Sequence, residues 1–268
     1  DFDAGKPLWD PIQCRETTGL TFTPDGSTLV SAGYTPAAEA YAGVIQSWDA
    51  RTGRALMKPY FASFLPARAS SVSAHPLLPL TALGSFDLTT RIWDQDAQSL
   101  TDTLLRHTAR VLTTRFSPDG ALLATGAQNA LAQLWDHEAG VPVGPPLRHG
   151  APVRHVAFDA QGTYLATASQ DDAVRIWEVA TGEMVGPPLM LDGSVRTVEF
   201  GADGKRLFIA SSTGLYVWTL PEPPSSVEEM RQRTLRALGA KLRDGAIVSM
   251  SEDEWATLGA SRAADTSE

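Results

Sequence analysis

Five histidines, a single cysteine and scattered carboxylates are the residues of this chain that could carry chemistry. His149 and Asp171, with the hydroxyls of Thr167 and Ser169 between them, have the residue types of a hydroxyl–imidazole–carboxylate relay, the set that activates a nucleophile for acyl transfer. No nucleophile-elbow glycine pattern accompanies them, so the pair reads as structural. His75, His137 and His155 have no second ligand at a helical or hairpin spacing, and no zinc site is expected. Cys14 alone provides neither a disulfide framework nor a thiolate cluster, which fits a cytoplasmic setting. The chain also lacks a phosphate-cradling glycine loop, a dinucleotide fingerprint and a paired-carboxylate motif, so no cofactor is expected.

Arginine is the other candidate. Eighteen arginines stand against four lysines, and Arg68, Arg110, Arg154 and Arg196 recur at steps of 42, 44 and 42 residues. A guanidinium presents a planar fork of donors that suits carboxylate and phosphate. The net charge is nonetheless −9 with a pI near 5.0, which argues against a general nucleic-acid or membrane surface. No run of residues approaches the length of a membrane-spanning helix. The arginine-rich, lysine-poor usage reads as that of a GC-rich bacterial gene.

A repeating frame must hold these residues, and it is clearest from Pro146 to Glu178. There residues 153–158 alternate, Gln161-Gly162 turns, residues 164–169 run extended, and Asp171-Asp172 turns into a third strand ending at Trp177. Closing tryptophans at Trp48, Trp93, Trp135, Trp177 and Trp218 step by 45, 42, 42 and 41 residues. A second marker keeps phase with them, the Phe-x-x-x-Gly turns at Phe22–Gly26, Phe116–Gly120, Phe158–Gly162 and Phe200–Gly204. Together the two markers resemble the WD40 repeat family over residues 1 to 219, which implies a β-propeller of four-stranded sheets about a common axis. Trp9-Asp10 falls out of register. The chain therefore starts one residue after a tryptophan it does not contain, and residues 2–13 are expected to form an outer strand.

The resemblance also assigns roles to residues. Complete WD40 units hold a buried hydrogen-bonded set of aspartate, histidine, hydroxyl and tryptophan. Only the fourth unit matches in full, with His149, Thr167 or Ser169, Asp171 and Trp177. The third offers His107, Thr125, Asn129 and Trp135. The second keeps Ser85, Asp87 and Trp93 but has Leu65 at the histidine position, and units one and five keep only the tryptophan. An imidazole bridging carboxylate to hydroxyl occupies that hydroxyl and locks turns together. Members of the family bind partners through the narrow top face. The matching positions are Arg68, Arg110, Arg154 and Arg196, with Phe86, Gln128 and Gln170 just before the turn aspartates. Such an arginine ring is expected to recognise an acidic or phosphorylated segment.

Residues 33–43 are expected to form an inserted loop. Beyond Trp218, Pro221-Glu-Pro-Pro224 ends the repeats. Residues 221–268 are expected as a helical extension: one helix starts at a Ser226–Glu229 capping box and carries Val227, Met230, Leu235, Leu238 and Leu242, and a second is capped by Ser251–Glu254. The expected fold is therefore all-β, a WD40 β-propeller over residues 1–220 with five blades visible, plus a small α-helical C-terminal tail. Residues 2–13 could close a five-blade ring. The alternative, favoured because the chain starts inside a repeat, is an arc from a seven-bladed ring in the C-terminal part of a larger protein. The expected function is a non-enzymatic scaffold for a protein or peptide, or for kinase or effector domains of the same parent chain, and not for nucleic acid or membrane. The alternative function is a propeller-form hydrolase or lyase, which needs titratable residues converging on the top face or the channel.

Overall fold

The computed structural model describes residues 16–36, 41–62, 68–220, 240–243 and 246–249. The chain divides into two compact units, Asp1–Leu220 and Pro221–Glu268. None of the described residues is helical, and so none forms a helix long and apolar enough to cross a membrane.

In the first unit the alternating segments form five antiparallel sheets in chain order. Sheet 1 holds β1 (Thr17–Phe22), β2 (Thr28–Pro36), β3 (Tyr41–Asp49) and β4 (Tyr60–Ala62); sheet 2 holds β5 (Ala69–Ala74), β6 (Leu80–Ser85), β7 (Thr89–Asp94) and β8 (Ser99–Arg106). Sheet 3 consists of β9 (Val111–Phe116), β10 (Leu122–Ala127), β11 (Leu131–Asp136) and β12 (Val141–Arg148), and sheet 4 of β13 (Val153–Phe158), β14 (Tyr164–Ser169), β15 (Ala173–Glu178) and β16 (Leu189–Met190). Sheet 5 has three strands among the described residues, β17 (Val195–Phe200), β18 (Arg206–Ser211) and β19 (Leu215–Thr219).

Turn chemistry explains why the meanders recur. In sheets 1 to 3 the aspartate after the closing tryptophan caps the turn that follows: Asp49, Asp94 and Asp136 each accept two backbone N–H groups at 2.7–3.0 Å. At the other end, Leu88, Ala130 and Asp172 take left-handed φ values of 69°, 63° and 59°. Their carbonyls accept the N–H of His107, His149 and Leu191 at 2.8–3.0 Å, tying each turn to the lead-in of the next sheet.

The five first strands, β1, β5, β9, β13 and β17, pack side by side in that order, so the sheets fan from a shared line. Each carries a register shift at the same point, leaving Thr18, Ser70, Leu112, Arg154 and Arg196 as the extra residue. The Thr18 and Ser70 hydroxyls donate to the carbonyls of Ala69 and Val111, stitching one first strand to the next. Arg115 on β9 also pairs with Glu199 on β17 at 3.1 Å, skipping the sheet between them.

The core lies between successive sheets. Trp93 packs with Val30 and Ile45 of sheet 1, Trp135 with Ala82 and Ile92 of sheet 2, and Trp177 with Ala132 and Leu134 of sheet 3. Each indole thus plugs the face of the preceding sheet, a burial that stabilises by about 5 kcal/mol. The pattern loosens at the ends. Trp218 is 48% exposed where Trp93 is fully buried, and Leu20 and Phe22 on sheet 1 and Leu215 and Val217 on sheet 5 are more than half exposed.

Two expectations change. Residues 33–43 do not form a loop: β2 and β3 stay paired out to Pro36 and Tyr41, so the insertion lengthens a hairpin. Its tip, residues 37–40, lies outside the described residues. In the second unit, β20 (Ala240–Arg243) and β21 (Ala246–Ser249) pair antiparallel, so Leu242 lies on a strand rather than on a helix. The hairpin dipeptide Asp244-Gly245 between two apolar runs accounts for this. The remainder of both expected helices, residues 2–13 and Leu65 lie outside the described residues.

Candidate functional site

Two groups of side chains stand out, one buried and one exposed. The buried group is clearest in sheet 4. His149 Nδ1 lies 3.1 Å from the Leu147 carbonyl, which can only accept, so Nδ1 carries the hydrogen. Nε2 is then an acceptor and takes the Thr167 hydroxyl hydrogen at 2.7 Å. The Thr167 oxygen in turn accepts the Trp177 indole N–H at 2.8 Å. Thr167 is fully buried and its hydroxyl is engaged on both sides, so it cannot attack a substrate. Burial, with Arg175 nearby, holds the His149 pKa down at about 4.

Asp171 does not join this chain through His149. Its carboxylate accepts the Gly150 N–H at 2.9 Å and pairs with Arg175 at 2.9 Å, which removes the expected imidazole–carboxylate bond. Ser169 donates to the Ala151 carbonyl at 2.7 Å. In unit three the expected set is split. Trp135 donates to Thr125 at 2.9 Å, but His107 Nε2 meets Thr90 of the preceding sheet at 3.1 Å, and Asn129 donates to Thr108 at 2.8 Å. Sheet 2 offers His107 a hydroxyl at position 90, whereas sheet 3 offers His149 only Ala132 at the equivalent place, so His149 reaches Thr167 instead. Burial also lowers His107 to about 4.

Unit one holds more than its tryptophan, because Ser31 accepts the Trp48 indole N–H at 2.9 Å. Unit two holds less. Leu83 occupies the hydroxyl position, the Trp93 indole nitrogen has no partner among the described residues, and Ser85 accepts the Asp87 N–H at 3.2 Å. His75, just after β5, is buried: its Nδ1 accepts the N–H groups of Leu77 and Leu78 at 3.1 and 3.0 Å. His137 is buried beside it and donates from Nε2 to the Gly120 carbonyl at 3.0 Å. His155 is partly buried on β13, with its pKa lowered by burial. Among the described residues no three metal-ligating side chains are grouped.

The exposed group lies where the first strands begin and the turns before β3, β7, β11 and β15 sit. The carbonyls of Arg68, Arg110 and Pro152 accept the N–H of Phe86, Gln128 and Gln170 at 2.9–3.1 Å, so these positions share one register. Arg68 and Arg110 occupy that register, while Arg154 and Arg196 sit two residues on, at the bulge. This offset is the source of the 44-residue step. The Arg68 guanidinium lies over the rings of Tyr34 (5.0 Å) and Phe86 (5.8 Å), and Arg110 lies over Phe86 at 5.2 Å. Tyr34 stands at the base of the lengthened hairpin, and its hydroxyl donates to Glu16 at 3.3 Å. With the Gln170 amide oxygen turned towards it, Arg154 donates to that oxygen from Nε and Nη2 at 3.2 and 3.0 Å. Arg196 and Gln128 are exposed. None of the four arginines has an ion-pair partner among the described residues, where the pairs are Arg115–Glu199, Arg175–Asp171 and Arg206–Asp203. Sequence reasoning missed Tyr34, whose signal was an aromatic residue beside the insertion.

At the opposite end of the first strands a cavity of about 250 Å³ is lined by Thr21, Ser73, Arg115, Phe116, Ser117 and Asp159 among others. Its charged groups are committed: Arg115 to Glu199, and Asp159 to the Tyr164 N–H at 2.8 Å.

Residues 98–136 and 143–178 match the family model described as WD domain, G-beta repeat. No curated protein matches the chain. The two matched spans run from an outer strand through the three inner strands of the next sheet, β8 to β11 and β12 to β15, and each closes on a tryptophan bonded to a buried threonine. Over these two spans the chain carries WD40 repeats.

Proposed function

We propose that residues 16–220 act as a non-enzymatic docking platform, binding a protein or peptide through the end of the sheets that carries Arg68, Phe86, Arg110, Gln128, Arg154, Gln170 and Arg196. WD40 repeats are interaction modules, and no residue set among the described residues is organised for catalysis: the imidazole–hydroxyl contacts, His149 with Thr167 and His107 with Thr90, both end on hydroxyls of fully buried threonines. The observation that carries the reading is the recurrence of four exposed guanidiniums, without carboxylate partners among the described residues, on a chain of net charge −9. Such a stripe favours an acidic or phosphorylated partner segment, in a separate protein or in further domains of a parent chain. The same reading takes the five sheets as an arc of a larger ring. Support comes from Leu215 and Val217 on one end sheet and Leu20 and Phe22 on the other, apolar positions whose counterparts in sheets 2 to 4 are covered by neighbours.

Capture of binding proteins by the wild-type chain and by a variant with Arg68, Arg110, Arg154 and Arg196 all changed to alanine tests the platform. Loss of capture in that variant, with retention in Arg115→Ala, is the expected result. Equal capture by all three would reject the arginine surface.

A further inference from the structure

We infer that one half of this stripe, Arg68–Phe86–Arg110 backed by Tyr34, is a receptor for a phosphate monoester carried on a protein segment, and that Glu16 sets the direction in which the segment lies. The inference rests on the platform reading above and narrows it to two sheets, one charge type and one orientation.

The stacking comes first. Arg68 lies over the rings of Tyr34 and Phe86 and Arg110 over that of Phe86, with centroid distances of 5.0, 5.8 and 5.2 Å. A guanidinium that gives its face to an aromatic ring keeps its N–H edge for a ligand, and the ring limits the rotamers it must lose on binding. Two such forks about one phenyl ring, neither with a carboxylate partner among the described residues, form a site with charge +2. A carboxylate supplies one charge and two oxygens, enough for one fork. A phosphate monoester supplies −1.5 to −2 and three acceptor oxygens, enough for both.

The other arginines are less suited. Arg154 spends Nε and Nη2 on Gln170, and no ring lies against Arg196 among the described residues. The direction comes from Glu16. Its carboxylate accepts from the Tyr34 hydroxyl, and Gly33 permits this approach, since a Cβ there would collide with the Glu16 carbonyl. The Tyr34 end therefore repels an anion while the Phe86–Arg110 end attracts one. A bound segment places its phosphate over Phe86 and a neutral or basic residue towards Tyr34.

Arginine Nε–H resonances of the full chain, titrated with N-acetyl-phosphoserine amide and N-acetyl-glutamate amide, test the site. The phosphorylated probe should shift Arg68 and Arg110 saturably, leave Arg154 and Arg196 in place, and bind about tenfold more tightly than the glutamate probe. Phe86→Ala, which removes no charge, and Arg110→Lys, which keeps the charge but loses the fork, should each weaken binding about fivefold or more with an unchanged melting temperature. Glu16→Gln should tighten it. Equal affinity for the two probes, equal shifts at all four arginines, or a response only to phosphoinositide vesicles would overturn the inference. If the site fails in this way while protein capture still depends on Arg154 and Arg196, the platform reading stands without it.

Discussion

Thr167 is the residue on which the buried chain of sheet 4 turns, since it takes the Trp177 N–H and gives its own hydrogen to His149. Thr167→Val strands both partners and should cost about 2–4 kcal/mol in urea unfolding. Thr125→Val strands only Trp135, because His107 bonds elsewhere, and should cost about half as much. The histidines set the acid limb. His107 and His149 titrate near 4 in the folded chain, against about 6.5 unfolded. Their folded pKa values are depressed, so the folded state binds fewer protons in this interval. Their contribution is complete above about pH 6.5 and is lost as pH falls towards 4. Among the neighbouring groups, Arg175 lowers His149 further, and Asp171 opposes the shift. His75 and His155 are shifted the same way, and the depressed carboxyls of Asp25, Asp119 and Asp171 add their loss only below about pH 4. Urea midpoints should therefore fall between pH 7 and pH 4.5. A flat profile there would contradict the neutral, buried assignment. The sequence pointed to the closing tryptophans, to His149 and to either Thr167 or Ser169 as the hydroxyl of this set. The partner of His107 was not, because it depends on whether the preceding sheet offers Thr90 or an alanine, a contact no single repeat contains.

Turns decide the elements. Ala130 holds φ 63° so that its carbonyl can receive the His149 N–H, a conformation that costs an alanine about 1 kcal/mol. Ala130→Gly should raise stability by roughly 0.5–1 kcal/mol, read as a higher urea midpoint. Gly120→Ala should act oppositely, costing at least about 2 kcal/mol, because φ is 78° and the new Cβ would meet the buried His75 ring. Element boundaries were legible wherever a Phe-x-x-x-Gly turn and a tryptophan bracketed the unit. They were misread where the sequence carried mixed signals. Gly33, Pro36 and Gly43 suggested a loop, yet Tyr34, Thr35 and Tyr41 favour extended chain and Pro36 stands at the end of the ladder, where a lost donor matters little. At Leu242, helical spacing from Leu235 and Leu238 competed with the strand pairing of Ala240–Arg243 with Ala246–Ser249, and the pairing prevailed.

Across the first unit, three of the four interfaces between successive sheets repeat one packing scheme, a tryptophan plugging the preceding sheet, while sheets 1 and 5 carry exposed apolar side chains at Leu20, Phe22, Leu215 and Val217. Phe22 and Phe116 hold the same place in their units, yet Phe22 is 54% exposed and Phe116 is 5% exposed. Phe116→Ser should therefore cost more than about 3 kcal/mol and Phe22→Ser less than about 0.5 in this chain, while additional sheets supplied against β1 should raise the second figure. The proposed docking surface lies at the end of the fan that carries Arg68, Arg110, Arg154 and Arg196, none of which has an ion-pair partner among the described residues, whereas at the other end Arg115 is paired with Glu199. Site-specific photocrosslinking in cells tests this most directly, with p-benzoylphenylalanine replacing Gln128 beside Arg110 or Asp25 at the opposite turn. Protein adducts at position 128 that vanish when Arg68 and Arg110 become alanine, with none at position 25, are the expected result. Adducts at position 25 alone, or adducts at 128 indifferent to those arginines, would contradict a docking surface built on the guanidinium stripe.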